Sequence, residues 1–149
     1  MQITLAQIGG RTTAKEGWDS LVKMYVERCG AFARVRTQDF RSEEALLEWL
    51  ARTGGRTAVV AVLLDGRGRE MSSEGFAEWL RRRRDEGAQH LVFAVGPADG
   101  WSDAARGRAT LLLSLGPMTL AHSLARLTMA EQLYRAFTIL AGHPYHGSH

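Results

Sequence analysis

The stretch LSLGPMTLAHSLARLTMAEQLYRAFTILAGHPYH, Leu113 to His146, decides how the rest of the chain is read. A short apolar strand ends at Leu115, and Gly116-Pro117 turns the chain into a tight apolar loop, Met118 to Ala121. A long helix is expected from about Ser123 to Ala141, with a stiff tail, His143-Pro144-Tyr145-His146, behind it. Leu124, Leu127, Tyr134 and Phe137 mark one apolar stripe of that helix; Met129, Leu133, Ala136 and Leu140 mark another. A helix apolar on two sides is normally buried on both. It is therefore expected between its own core and a second surface, most simply a second subunit.

Upstream, apolar strands alternate with helices. Gln2 to Ile8 reads as a strand, and Thr13-Ala-Lys-Glu16 as a capping box opening a helix that ends near Gly30. Ala31 to Thr37 alternates like a half-exposed edge strand. Ser42 opens a helix carrying Leu46, Leu47, Trp49 and Leu50, stopped at Gly54-Gly55. Thr57 to Asp65 is apolar on both faces and belongs inside a covered sheet. Asp65 to Gly68 reads as a turn, and Ser72 or Ser73 as the cap of a helix with Phe76, Trp79 and Leu80 inward. His90 to Val95 is a second central strand, a short helix follows from about Ser102, and Thr110 to Leu115 is a further strand. This alternation predicts an α/β fold, a mostly parallel sheet with helices on both faces. No repeat or linker divides the chain, so residues 1–149 are expected to form a single domain.

Composition narrows the function classes. At 45% hydrophobic and 23% charged, the chain matches ordinary globular proteins. Its longest apolar run, Ala58 to Leu64, is far short of the ~20 residues that span a bilayer. No charged-then-apolar leader opens it, so a cytoplasmic protein without a membrane partner is expected. Cys29, the only cysteine, excludes an internal disulfide and reads as a small buried filler. The net charge is +3, and all basic residues but Lys15 and Lys23 are arginine. Arginine is the better bidentate phosphate ligand, which fits an RNA partner; a coding bias gives the same skew.

Three strands end in glycine-bearing turns: Asp65-Gly66, Gly96-Pro97 and Leu115-Gly116-Pro117. Ligands of open parallel sheets bind beyond the carboxyl ends of the strands, and glycine lets them approach the backbone. The flanks, Leu64, Leu115, Met118 and Leu120, are apolar and suit a flat ring better than a pyrophosphate. No P-loop is present, and GPADG is not the dinucleotide fingerprint. His143, His146 and His149 step by three, but Pro144 breaks any helix there and no neighbouring cysteine or carboxylate completes a metal set. No metal is expected. Glu131 and Arg135 stand at i, i+4 in the favourable order. Arg126 and His122 fall on another side of the same helix, and Arg81 to Arg84 form either a solvated helix end or a phosphate contact.

These residues carry a resemblance along the whole chain. The motifs are Leu64-Asp65 with Gly68, Ser72-Ser73-Glu74-Gly75-Phe76-Ala77, and Phe93-Ala-Val-Gly96 with Gly100. They continue with Leu113-Ser-Leu, Met118-Thr119-Leu120, His122, Arg126, Glu131-Gln132-Leu133-Tyr134-Arg135-Ala136 and Tyr145-His146. The sequence resembles the small SPOUT-class methyltransferases that methylate N3 of a pseudouridine in 23S ribosomal RNA. The resemblance implies an α/β knot, with the last helix threaded through a loop, and a homodimer packed through that region. It implies S-adenosyl-L-methionine held by Leu64, Gly96, Pro97 and the run Leu115, Gly116, Pro117, Met118, Thr119, Leu120 and Ala121. The substrate it implies is a stem-loop of 23S rRNA in the large ribosomal subunit or assembled ribosome. His146 would be base or orienting group, Tyr145 a stacking surface, and Glu131 and Arg135 would hold the tail or the target nucleotide. Arg126, His122 and His149 would meet RNA.

Two positions depart from the family pattern. Pro97 stands where a second glycine is usual and has no N–H to offer. Gly147-Ser148-His149 closes the tail where a basic residue is usual. A non-catalytic RNA-binding factor of the same fold and a generic nucleotide-binding domain are the alternative readings.

Overall fold

The computed structural model describes residues 1–9 and 17–148. Five strands, β1 (Gln2–Ile8), β2 (Arg34–Phe40), β3 (Val59–Glu70), β4 (His90–Val95) and β5 (Leu111–Ser114), alternate with five helices. The helices are α1 (Trp18–Cys29), α2 (Glu43–Gly54), α3 (Ser73–Asp85), α4 (Asp103–Arg108) and α5 (His122–Ala141). The sheet runs in the order β2-β1-β4-β3-β5, and every pairing is parallel. Side chains alternate across it with the strand period of two. Leu91 and Phe93 enter the core under α1, α3 and α5, beside Leu80, Met129 and Leu133. Val92 and Ala94 face Leu46, Leu50, Trp101 and Ala105 of the opposite layer.

Local chemistry sets the helix starts. The Ser42, Ser72 and Ser102 hydroxyls accept the amide hydrogens of Ala45, Gly75 and Ala105. Each satisfies one orphan donor of a first turn. Ser72 rather than Ser73 is thus the cap of α3. The chain enters α1 through Gly17 in the left-handed conformation, φ 75°. The capping box at Thr13 and Glu16 lies outside the described residues. Cys29 is buried, and burial pushes its thiol up to about 12, so it is an inert filler at neutral pH.

Several boundaries differ from the expectation. The Cys29 carbonyl accepts from the amides of Phe32 and Ala33, which delays β2 to Arg34. β2 is nonetheless an edge strand, and its exposed Arg34 and Arg36 discourage edge pairing. The other edge is β5. Asp65 to Gly68 is a bulge inside a longer β3: Leu113 stands opposite both Leu64 and Arg69, with the ladder broken between them. Gly68 lies so close to β5 that a Cβ would sit 2.5 Å from the Leu112 carbonyl.

Within the subunit, helix α5 is buried along one stripe. Arg126, Met129, Ala130, Leu133, Ala136 and Phe137 are covered. Leu127 and Tyr134 are half-open and Leu124 is 39% exposed. Its end is a Schellman motif: the Gly142 and His143 amides donate to the Ile139 and Thr138 carbonyls. The left-handed Gly142 turns the tail back along the helix it has just left.

Candidate functional site

One cavity of about 470 Å³ opens beyond the carboxyl ends of β3, β4 and β5. All ten residues expected to hold a cofactor line it: Leu64, Gly96, Pro97, Leu115, Gly116, Pro117, Met118, Thr119, Leu120 and Ala121. Gly116 sits at φ 129°, a conformation side chains disfavour, so glycine is required where the chain leaves β5. The Ser114 hydroxyl bridges the Gly116 carbonyl and amide and fixes that corner. Met118, 83% exposed, stands at the tip of the loop.

The other wall is built around Trp101 and Arg106. Trp101 is buried, and its indole N–H donates to the Leu64 carbonyl at 2.9 Å. A Cβ on Gly96 would fall 2.7 Å from the indole ring, so the glycine makes room for the tryptophan. Beside them Arg106 donates from Nε to Asp65 Oδ2 at 2.6 Å, and the Arg67 amide donates to Oδ1. Burial alone would raise the Asp65 carboxyl; the bonds from Arg106 and Arg67 outweigh it and hold the group below its ordinary value. The sequence signal for this wall was an aromatic residue between Gly100 and the Ser102 cap. His122 also lines the cavity. Burial, then the charge of Arg126, lowers the proton affinity of its imidazole against the opposing effect of the Ile8 backbone.

The expected tail residues form a second cluster at the far end of α5. Arg135 donates from Nε to Glu131 at 2.7 Å, and its Nη1 lies 3.0 Å from His146 Nδ1. The other ring nitrogen, Nε2, lies 2.7 Å from Glu74 at the start of α3. That bond first of all lowers the Glu74 carboxyl. No carboxylate neighbours His146 in sequence, yet Glu74 meets it in space, because the turn at Gly142 folds the tail onto α3 and α5. Tyr145 stands edge-on to Tyr134 at 4.8 Å, and the Arg135 guanidinium lies 4.9 Å over its ring. Burial, then a hydrogen bond with Tyr25, pushes the Tyr145 phenol up to about 12, so it stays neutral.

Arg126, expected at RNA, is turned inward instead. Its side chain is 8% exposed, and Nη1 donates to Asp19 of α1 at 2.7 Å. His149 lies outside the described residues. Among the described residues no three of His, Cys, Asp and Glu gather as a metal site, and no helix is long and apolar enough to cross a membrane.

An all-parallel sheet with an apolar, glycine-edged cavity beyond its strand ends fits an enzyme that grips a flat-ringed ligand by its backbone. The family description "Predicted SPOUT methyltransferase" matches residues 1–146, and the chain belongs to that family. Over 149 residues it is 45% identical to the ribosomal RNA large subunit methyltransferase H of Koribacter versatilis (strain Ellin345), covering all of both chains. To the protein of that name from Brucella ovis it is 50% identical over 100 residues, 66% of this chain and 59% of that one. Two solved structures share the fold. A probable methylase family protein from Haemophilus influenzae Rd KW20 matches with TM-score 0.57 and 10% identity, over 97% of this chain and 69% of that one. The SpoU methyltransferase AviRb from Streptomyces viridochromogenes, solved with AdoMet, matches with TM-score 0.51 and 13% identity, over 95% and 61%.

Proposed function

We propose that this protein uses S-adenosyl-L-methionine to methylate N3 of a pseudouridine in a 23S rRNA stem-loop, in the large subunit or assembled ribosome. The convergence of the ten strand-end and loop residues on one cavity carries the reading. The lining fits the cofactor: apolar walls, an aromatic side chain, and glycines where backbone must come close. The RNA target rests on the names of the relatives and on the resemblance of the tail motif. In this reading residues 1–149 are one cytoplasmic domain whose last helix is threaded as a trefoil knot.

The bound cofactor supplies an electrophilic methyl group. Leu64, Gly96, Pro97 and residues 115–121 hold it and exclude water. Tyr145 offers its ring to the target base, Glu131 and Arg135 fix the tail, and His146 is an orienting group. His122 and His149 are read as further RNA contacts. Positioning of this kind is worth several kcal/mol when the reacting atoms are near attack distance.

The active unit is a homodimer. His122 lines the cavity while Arg135 lies thirteen residues further along the same helix, roughly 20 Å at 1.5 Å per residue. One subunit's tail cluster is thus too far from its own cavity to act there, and a partner's tail completes the site. The half-open stripe of α5 with Leu124, and exposed Met118, supply the apolar surface for that partner.

Mass spectrometry of large-subunit RNA from cells with and without the gene tests the target: an unchanged modification pattern overturns it. Mixing His146→Ala subunits with Gly96→Val subunits tests the shared site. Activity is expected to return in heterodimers, and its failure to return rules out a tail acting across subunits.

A further inference from the structure

We propose that Trp101 is a ligand-contacting wall of the cavity: its indole ring takes the purine of the adenosyl ligand. This rests on the reading of the cavity as a cofactor site.

Three observations converge on this residue. Trp101 lines the cavity although only 5% of the residue is exposed. Its N–H is committed to the Leu64 carbonyl, the last residue of β3 before the bulge, which locks the ring plane. Its body rests on Gly96, where any side chain would collide with it. The next residue is anchored as well: the Ser102 amide donates to Glu43 at 2.8 Å. An aromatic ring fixed by Leu64 and Gly96, with its neighbour held by Glu43, is preorganised, and a preorganised wall loses little freedom on binding.

Pro97 gives this wall its importance. Residue 97 borders the cavity and has no amide hydrogen, so one backbone donor is missing from the purine's surroundings. The Leu64 carbonyl already accepts the indole N–H. Edge recognition by a backbone donor is therefore absent at residue 97, and contact with a π-face adds affinity to what the apolar walls and the remaining backbone groups supply. Such stacking is sequence-tolerant and typically worth about tenfold or more in affinity per base.

The test uses the full-length protein labelled with ¹⁵N at its four tryptophans. Trp101→Phe assigns the Trp101 indole resonance by its absence. On titration with S-adenosylhomocysteine that resonance is expected to shift, and to shift again with adenosine alone. By calorimetry Trp101→Leu is expected to weaken S-adenosylhomocysteine by tenfold or more, while Trp101→Phe, which keeps a ring, stays within about threefold. If the ligand binds the wild type and the Trp101 resonance does not move, the proposal is wrong and the cofactor reading stands. Equal affinity in Trp101→Leu overturns it likewise. If S-adenosylhomocysteine does not bind the wild type at all, both fall together.

Discussion

Nη1 of Arg135 lies 3.0 Å from Nδ1 of His146. A guanidinium can only donate, so Nδ1 is the acceptor, and the proton of the neutral ring sits on Nε2, directed at Glu74. The lone pair a general base needs is therefore occupied. This geometry casts His146 as an orienting group that holds the tail rather than as the proton acceptor. Glu74→Gln keeps an acceptor and is expected to retain methyl transfer within about threefold. Arg135→Ala removes the clamp and is expected to lower it roughly 10²-fold, the scale of a misplaced substrate. Single-turnover methylation of RNA measures both; a silent Arg135→Ala would sink the clamp.

The glycines rank by what surrounds them. Gly66→Ala meets nothing within 4 Å and is expected to be nearly neutral. Gly68→Ala drives a methyl into the β5 backbone and is expected to cost about 3 kcal/mol or to prevent folding. Gly96→Ala collides with the Trp101 ring and is expected to cost about 1–3 kcal/mol while weakening cofactor binding. Urea denaturation of the three variants gives the order.

Arg126 separates a structural from an RNA-binding role. Its guanidinium is buried against Asp19, so Arg126→Met is expected to change thermal stability and leave the salt dependence of RNA binding unaltered. A phosphate contact would instead lower the slope of log K against log salt by about one.

His90 supplies a pH signature. It is buried between β1 and β3, bonded to Thr4 at 2.9 Å, and burial, then the Arg36 charge, lowers its proton affinity. The unfolded chain then binds the proton more readily, so stability present at pH 7 is lost as pH falls through the ordinary histidine value near 6.5. Thermal melts between pH 8 and 5 should show this decline, and His90→Gln should make it shallower. Equal slopes would rule the group out.

Much of the fold was legible because it is local. Hydroxyl caps, the all-apolar AVVAVLL of Ala58 to Leu64 and the glycines at strand ends each announce themselves within a few residues. The cavity was legible for the same reason: parallel strands bring their carboxyl ends to one edge. What stayed hidden depends on distant partners. Trp101 reaches Leu64 across 37 residues, Arg106 reaches Asp65 across 41, and His146 reaches Glu74 across 72. No hydrophobic period encodes such meetings. The apolar pattern of α5 shows which faces are apolar and not what covers them; within the subunit one stripe is buried and the other is half-open. The bulge at Asp65 was read as a turn because the glycines that end a strand also let it bend and continue.

The order β2-β1-β4-β3-β5 places the chain's first strand in the interior of the sheet. A nascent polypeptide can therefore lay β2 against β1 early, but β1 keeps one bare flank until His90–Val95 leaves the ribosome. Such long-range pairing is slow. The ligand pocket is assembled later still, since its final wall, Met118 to Ala121, follows every strand. Ligand is thus available to stabilise only a nearly finished chain, and stalled fragments that end before Leu111 have no means of being rescued by it.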